Sequence, residues 1–202
     1  MPTAPTIRSA TPADLPQVGK ALANAFADDP IWTWLTSHDE QRYHRGAPGF
    51  FEADARSILS GPGQVLVDEN LGGAALWCAP DHWRSTVGQT LRIAPPAFRL
   101  LGARLPRALA SLTAMEREHP KDPPHWYLSI LGTDPSHQGR GVGSALIHAV
   151  TDRCDEEGVP AYLESSKESN IAFYARHGFE VTSEHRFAKG GPMLWLMWRD
   201  PR

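Results

Sequence analysis

Apolar positions recur along this chain with two periods, and the switches between them outline the elements. Residues 6–9 are short and extended between prolines, which reads as an edge strand. Leu15, Val18, Leu22 and Phe26 then fall on one stripe of a helix. Thr11-Pro12-Ala13-Asp14 supplies its start, with Thr11 as N-cap and Pro12 at the first helical position, and Asp28-Asp29-Pro30 stops it. Residues 31–35 form a short aromatic segment, and 41–59 read as a second helix. Residues 64–68 and 71–77 read as a hairpin turning at Glu69-Asn70, with Gly72 and Gly73 weakening its second arm. Residues 81–119 read as helical, broken at Pro95-Pro96 and at Pro106. A strand over 126–133 is followed by a helix over 143–157 and by an apolar strand over 159–164, expected to be buried on both faces. A short helix over 169–177 stops at Gly178, and strands over 179–184 and 193–198 finish the chain. This order predicts an α/β fold, a mixed sheet with helices on both faces.

Composition narrows the function classes. The 202 residues are 41% hydrophobic with no break in character, enough for a single domain over 1–202. A net charge of −3 argues against a nucleic-acid partner. Cys78 and Cys154 are far apart with no C-x-x-C pairing, so neither a disulfide framework nor a metal site is expected, and Cys154 reads as core filling. The nine histidines show no ligand spacing; His119, His125 and His137 read as surface loop residues. The N-terminus lacks an apolar h-region and no run reaches 18 apolar residues. A soluble, cytoplasmic protein with no membrane partner is the expectation.

The chemistry-bearing stretch is Gln138-Gly139-Arg140-Gly141-Val142-Gly143, between the strand over 126–133 and the helix that follows. Glycines at a strand-to-helix turn let backbone N–H groups converge on an anion, and the positive end of the helix dipole adds to the attraction. The stretch reads as a phosphate cradle. It is not a dinucleotide fingerprint, whose G-x-G-x-x-G spacing it lacks, nor a P-loop, since no lysine follows. Gly132, isolated in the strand before it, reads as a bulge.

The pattern Q/R-x-x-G-x-G/A after a strand resembles the GCN5-related N-acetyltransferase family. A second motif strengthens the resemblance: a strand ending at Glu164, then Asn170, then Phe173-Tyr174-Ala175-Arg176-His177-Gly178-Phe179. Ala25-Phe26-Ala27-Asp28-Asp29-Pro30 and the segments around both motifs look like the puromycin-acetylating branch of that family, weakly so over 39–119. The resemblance implies a mostly antiparallel, splayed central sheet and acetyl-CoA as cosubstrate. It implies direct transfer of the acetyl group to the primary amine of a small molecule such as an aminoacyl-nucleoside antibiotic, hence antibiotic resistance as a role. It leaves a homodimer open.

By the same resemblance Gln138, Gly139, Arg140, Gly141, Val142, Gly143 and Ser144 would hold the pyrophosphate. Leu131, Gly132 and Thr133 would pair with the pantetheine arm, and Asn170 and Phe173 would touch it. Tyr174 would protonate the leaving thiolate. Glu164 would be the general base, acting directly, through water, or not at all if it merely pairs with an arginine such as Arg176. On the acceptor side, Asp29 beside Trp32, with Trp77 as a further flat wall, suits an ammonium group through ion pairing and cation–π contact. A protein or peptide acetyltransferase and a non-catalytic acyl-CoA sensor are the alternatives.

Overall fold

The computed structural model describes residues 5–202. Seven strands form one sheet in the order β1-β2-β3-β4-β5-β7-β6. They are β1 (Ile7–Ser9), β2 (Gln64–Asp68), β3 (Gly73–Cys78), β4 (Trp126–Thr133), β5 (Ala161–Ser165), β6 (Glu180–Arg186) and β7 (Met193–Arg199). All neighbours are antiparallel except β4 and β5. The helices are α1 (Leu15–Ala25), α2 (Pro30–Thr36), α3 (Glu40–Leu59), α4 (Val87–Leu101), α5 (Leu105–Glu118), α6 (Val142–Glu157) and α7 (Ile171–Arg176). The expected mixed, mostly antiparallel sheet with helices on both faces is what the structure has.

Strand alternation sorts the core into two clusters, one on each face of the sheet. On β3, Ala74 and Leu76 face the cluster that holds Leu15, Leu22 and Phe51 of α1 and α3. Ala75 and Trp77 face the opposite cluster, with Leu146, Ile147 and Val150 of α6. This period of two is the pleat of the strand. On β5, Tyr162 faces the α1–α3 side and Ala161 and Leu163 the α6 side, so burial on both faces is as expected.

The bulge lies earlier in β4 than the sequence suggests. Leu76 pairs with Ile130 and Trp77 with Leu128, which leaves Ser129 as the extra residue. Its hydroxyl donates to the Leu76 carbonyl at 3.1 Å. One extra residue reverses the alternation: Trp126 and Leu128 face α6, whereas Ile130 packs on the α1–α3 side. Gly132 sits in regular pairing with Ala74, and its glycine has another cause. A Cβ there would stand 2.9 Å from Ala25 Cβ and 2.9 Å from Leu22 Cδ2, so α1 packs directly on the strand backbone.

Other boundaries differ for identifiable reasons. Thr11 does not cap α1; its N–H donates to Asp14 at 2.7 Å, and Asp14 also pairs with Arg8 at 2.7 Å, so the helix begins after Asp14. The aromatic segment becomes α2 because Asp29 accepts from the Ile31 and Trp32 N–H groups and caps it. Pro95 and Pro96 lie within α4 without breaking it, since Ala97, Leu100 and Leu101 bury that end. The break comes at Gly102, whose φ of 55° ends the helix. Pro106 falls in the first turn of α5, where a missing N–H costs nothing.

A partly buried ion pair ties the end of the sheet to α6. Arg199 of β7 donates to both Asp155 carboxylate oxygens at 2.8 and 2.6 Å, and to the His177 carbonyl at 2.9 Å. These hydrogen bonds hold Asp155 below the usual carboxylate range, against the opposing effect of burial. A lowered carboxylate pKa stabilises the fold above the unfolded value, near pH 4, and that contribution is lost as pH falls through the acid range. Arg199→Ala is expected to cost about 2 kcal/mol in urea denaturation at pH 7, the order of a lost charged hydrogen bond. The gap from the parent protein should shrink as pH falls below about 4, where Asp155 protonates first in the variant and only at lower pH in the parent.

Candidate active site

The central feature is a parting of two strands. Parallel pairing of β4 with β5 covers only Trp126, Tyr127 and Leu128 against Ala161, Tyr162 and Leu163. Beyond that point β4 stays with β3, and β5 stays with β7 through Glu164 and Ser165. A cleft of about 550 Å³ opens between them. Its walls are β4 from Leu128 to Thr133, the turn into α6, the end of β5 and one side of α7.

The glycine turn is built by backbone conformation at two positions and by packing at a third. Gly139 and Gly141 have φ of 74° and 81°, a region that side chains disfavour. Gly143 is small because a Cβ there would stand 3.3 Å from Phe173 Cζ of α7. No side chain caps α6, so the N–H groups of its first turn stay open to an anion. Gln138 Nε2 donates to the Thr133 carbonyl at 3.2 Å and anchors the turn to the end of β4. Gly141→Val forces this position out of its left-handed conformation. On the family resemblance, the expected result is acetyl-CoA binding weakened at least about tenfold by calorimetry, with the melting temperature lowered by only a few degrees.

The cleft collects most of the residues singled out from the sequence. Leu131, Gly132, Thr133, Gln138, Gly139, Gly141, Val142, Gly143, Ser144, Glu164, Asn170, Phe173 and Tyr174 all line it. Arg140 is exposed and stands outside that lining. Asn170 is at the N-terminus of α7 but caps it with no side-chain hydrogen bond. Ser144 faces His177 Nε2 at 3.1 Å. Tyr174 is buried against Phe173 and Phe179, and burial first, then the charge of Asp29, raises its pKa above the ordinary tyrosine value.

The acceptor-side residues are placed differently from expectation. Asp29 is buried, caps α2, accepts from the Ser166 hydroxyl and lines the larger cleft. Burial raises its pKa more than these hydrogen bonds lower it. Trp32 packs edge-on to Phe50 and Phe51 in the core and lines neither cavity. Trp77 is fully buried, because its position on β3 points to the α6 side.

A second cavity of about 240 Å³ lies on the α3–α5 side of the sheet. Ser129 and Glu164 line both cavities, so the two meet at the point where β4 and β5 part. The smaller cavity has an apolar part in Ile58, Leu112 and Met115 and a flat wall where Trp83 stacks on His119 at 3.9 Å between centroids. Asp54 faces it from α3, its carboxyl pushed up to about 6 by burial. The sequence carried no signal for this wall. Residues 81–86 form no regular element, and Asp54 reads as an ordinary charged position of a long helix. His119 and His125, read as surface residues, are buried, with 4% and 2% of their surface exposed. Lys167, paired with Asp28 at 2.6 Å, and Arg176 also line the larger cleft and were missed as cationic groups near an anion site.

A splayed sheet, an uncapped helix N-terminus under a glycine turn and a tyrosine beside the strand gap form a cleft suited to a phosphate-bearing carrier. The Acetyltransferase (GNAT) family model matches residues 19–179, and the chain belongs to this family of acetyl-CoA-dependent N-acetyltransferases. An uncharacterized N-acetyltransferase of Schizosaccharomyces pombe is 29% identical over 178 residues, 82% of this chain and 70% of that protein. The N-alpha-acetyltransferase RimI of Mycobacterium tuberculosis is 27% identical over 131 residues, 63% of this chain and 81% of that one. A Corynebacterium glutamicum structure, described as histone acetyltransferase HPA2 and related acetyltransferase, superposes with a TM-score of 0.75 at 27% identity, covering 99% and 98% of the two chains. Among the described residues no helix is long and apolar enough to cross a membrane, and no group of side chains is arranged to hold a metal ion.

Proposed function

We propose that this enzyme transfers the acetyl group of acetyl-CoA directly to the primary amine of a small molecule bound in the smaller cavity. The observation that carries this reading is the junction: a cleft suited to a phosphate-bearing carrier and a separate cavity with a carboxylate and an aromatic wall share Ser129 and Glu164. The open N–H groups of the α6 turn would hold the pyrophosphate, and the unpaired edge of β4 at Leu131 and Thr133 would take the amide groups of the carrier arm. Acetyl-CoA brings an activated carbonyl to that edge. Glu164 removes a proton from the acceptor ammonium, and Tyr174 donates one toward the departing sulfur. The backbone N–H groups of the free β4 edge stabilise the oxygen that gains charge.

The Trp83–His119 face suits a flat acceptor body, and Asp54 suits a cationic group on it. An aminoacyl nucleoside such as puromycin has that character, as do aromatic amines. The whole chain works as one domain in the cytoplasm on this reading.

The test is release of free CoA thiol from acetyl-CoA with puromycin, tryptamine, spermidine and short peptides as acceptors. Turnover confined to one class of small amine supports the reading. Preferred turnover of peptide N-termini selects protein acetylation, and tight acetyl-CoA binding with no turnover of any amine selects a sensor.

A further inference from the structure

Glu164 does not stand alone at the junction. His119, at the end of α5, brings Nδ1 to 3.6 Å from its Oε1, an ion-pair spacing. His119 Nε2 lies 3.0 Å from His125 Nε2, and His125 Nδ1 lies 2.9 Å from the Pro123 carbonyl. Both rings are buried, stacked on each other with centroids 5.1 Å apart. We propose that Glu164 and His119 share one proton and act as a single base toward the acceptor, with His125 as the positioning residue that fixes the tautomer of His119. The inference rests on the reaction proposed above.

The hydrogen-bond donors and acceptors dictate this arrangement. A carbonyl can only accept, so His125 Nδ1 carries a proton. Burial first, and then the neighbouring His119, lowers the pKa of His125, against the Pro123 bond that raises it. The ring is therefore neutral near pH 7, and its Nε2 is an acceptor. His119 Nε2 must then donate to it. That leaves His119 Nδ1 pointing at the Glu164 carboxylate. A bare lone pair facing a carboxylate is unfavourable, so a proton belongs between them, on one partner or the other.

The surroundings leave the pair to set its own charge. Tyr127 and Tyr162 face Glu164, and burial together with that carboxylate raises both phenols far above the working range, so they stay neutral. Burial, with Asp54 next, pushes the Cys78 thiol up to about 12, so it too is neutral. The charged or titratable groups nearby are Asp54 from α3, Glu116 and Glu118 from α5, Asp81, whose charge reaches His125, His82, and Arg84, whose guanidinium lies 4.7 Å over the Trp83 ring.

The proton balance follows. The shared proton leaves to solvent before the acceptor binds, and the emptied pair then takes one proton from the acceptor ammonium as its N–H bond breaks. The freed amine forms the new N–C bond as the C–S bond breaks. The second amine proton ends on sulfur through Tyr174. The proton held by Glu164 and His119 leaves to solvent through the acceptor cavity after the product departs, and one proton is released per turnover.

The experiment is a double-mutant cycle of Glu164→Gln and His119→Gln, with His125→Phe alongside, in the thiol-release assay with the fastest acceptor of the panel. Calorimetric acetyl-CoA affinity is the check on folding. Each single variant is expected to lose roughly 10²-fold in kcat at pH 7, with acetyl-CoA affinity kept. The double variant should fall no further than the worse single one, because the two groups act as a unit. His125→Phe should lower kcat and change its pH profile with KM little altered. Losses that multiply in the double variant, or a His119→Gln profile identical to that of the parent, overturn the proposal.

A second arm needs no acceptor: nitrogen-15 imidazole spectra of the free protein, assigned with the same variants. They should show His125 in the Nδ1–H form near neutral pH and His119 ring-nitrogen shifts that change when Glu164 becomes glutamine. His125 in the Nε2–H form, or His119 ring-nitrogen shifts indifferent to Glu164→Gln, overturns the shared proton. If no amine is turned over, the reaction as read fails while this arm still decides whether the proton is shared.

Discussion

Tyr174→Phe is expected to lower kcat about 10²-fold while acetyl-CoA affinity changes less than about threefold. The phenol is the one hydroxyl in the sequence motif of α7 that lines the cleft at the strand gap. Its burial and the nearby charge of Asp29 raise its pKa, so it keeps its proton across the working range. Phenylalanine preserves the contacts with Phe173 and Phe179, whose centroids lie 5.3 and 6.1 Å away, so the fold should survive the change. Steady-state kinetics beside calorimetry separates the two effects. Equal kcat in the variant would return Tyr174 to a packing role.

Glu164→Gln is the companion prediction, with kcat/KM reduced roughly 10²–10³-fold near pH 7. Glutamine keeps the size and the position at the end of β5 and removes only the proton acceptor. The deficit should narrow as pH rises toward the acceptor's own pKa, because a free amine needs no base. A deficit of constant size across pH would mean that Glu164 binds the acceptor rather than deprotonating it.

How far the sequence reaches depends on whether the cause of a feature is local. The glycine turn was legible because Gly139 and Gly141 need positive φ, a demand that belongs to the residue itself. The motif around Tyr174 was legible because helix α7 and its stop at Gly178 are set by consecutive residues. The bulge was misplaced because Gly132 is small for the sake of α1, packed on it from more than a hundred residues earlier in the chain. Nothing about Ser129, whose side chain bonds the Leu76 carbonyl, marks it as the extra residue.

The acceptor wall was the least legible part. His119 and His125 flank a proline-rich loop and look like solvent-facing positions. They are buried because α5 lays its end against β4 and β5, bringing His119 to Tyr127 and Tyr162 at 4.8 Å from each. The tryptophans misled for the same reason: Trp32 and Trp77 are core residues, whereas Trp83, in an irregular segment, stacks on His119 in the cavity. Aromatic content alone does not say which ring faces a ligand.

The account turns on the gap between β4 and β5 as the place where the thioester meets the amine. A crystal structure with acetyl-CoA is the most direct measurement. The expected result puts the pyrophosphate on the turn from Gly139 to Gly143, the carrier arm along β4 at Leu131 and Thr133, and the sulfur within hydrogen-bond reach of Tyr174, with the acetyl group facing Glu164. Density for the carrier elsewhere, or a thioester on the far side of β5 from the smaller cavity, would contradict it.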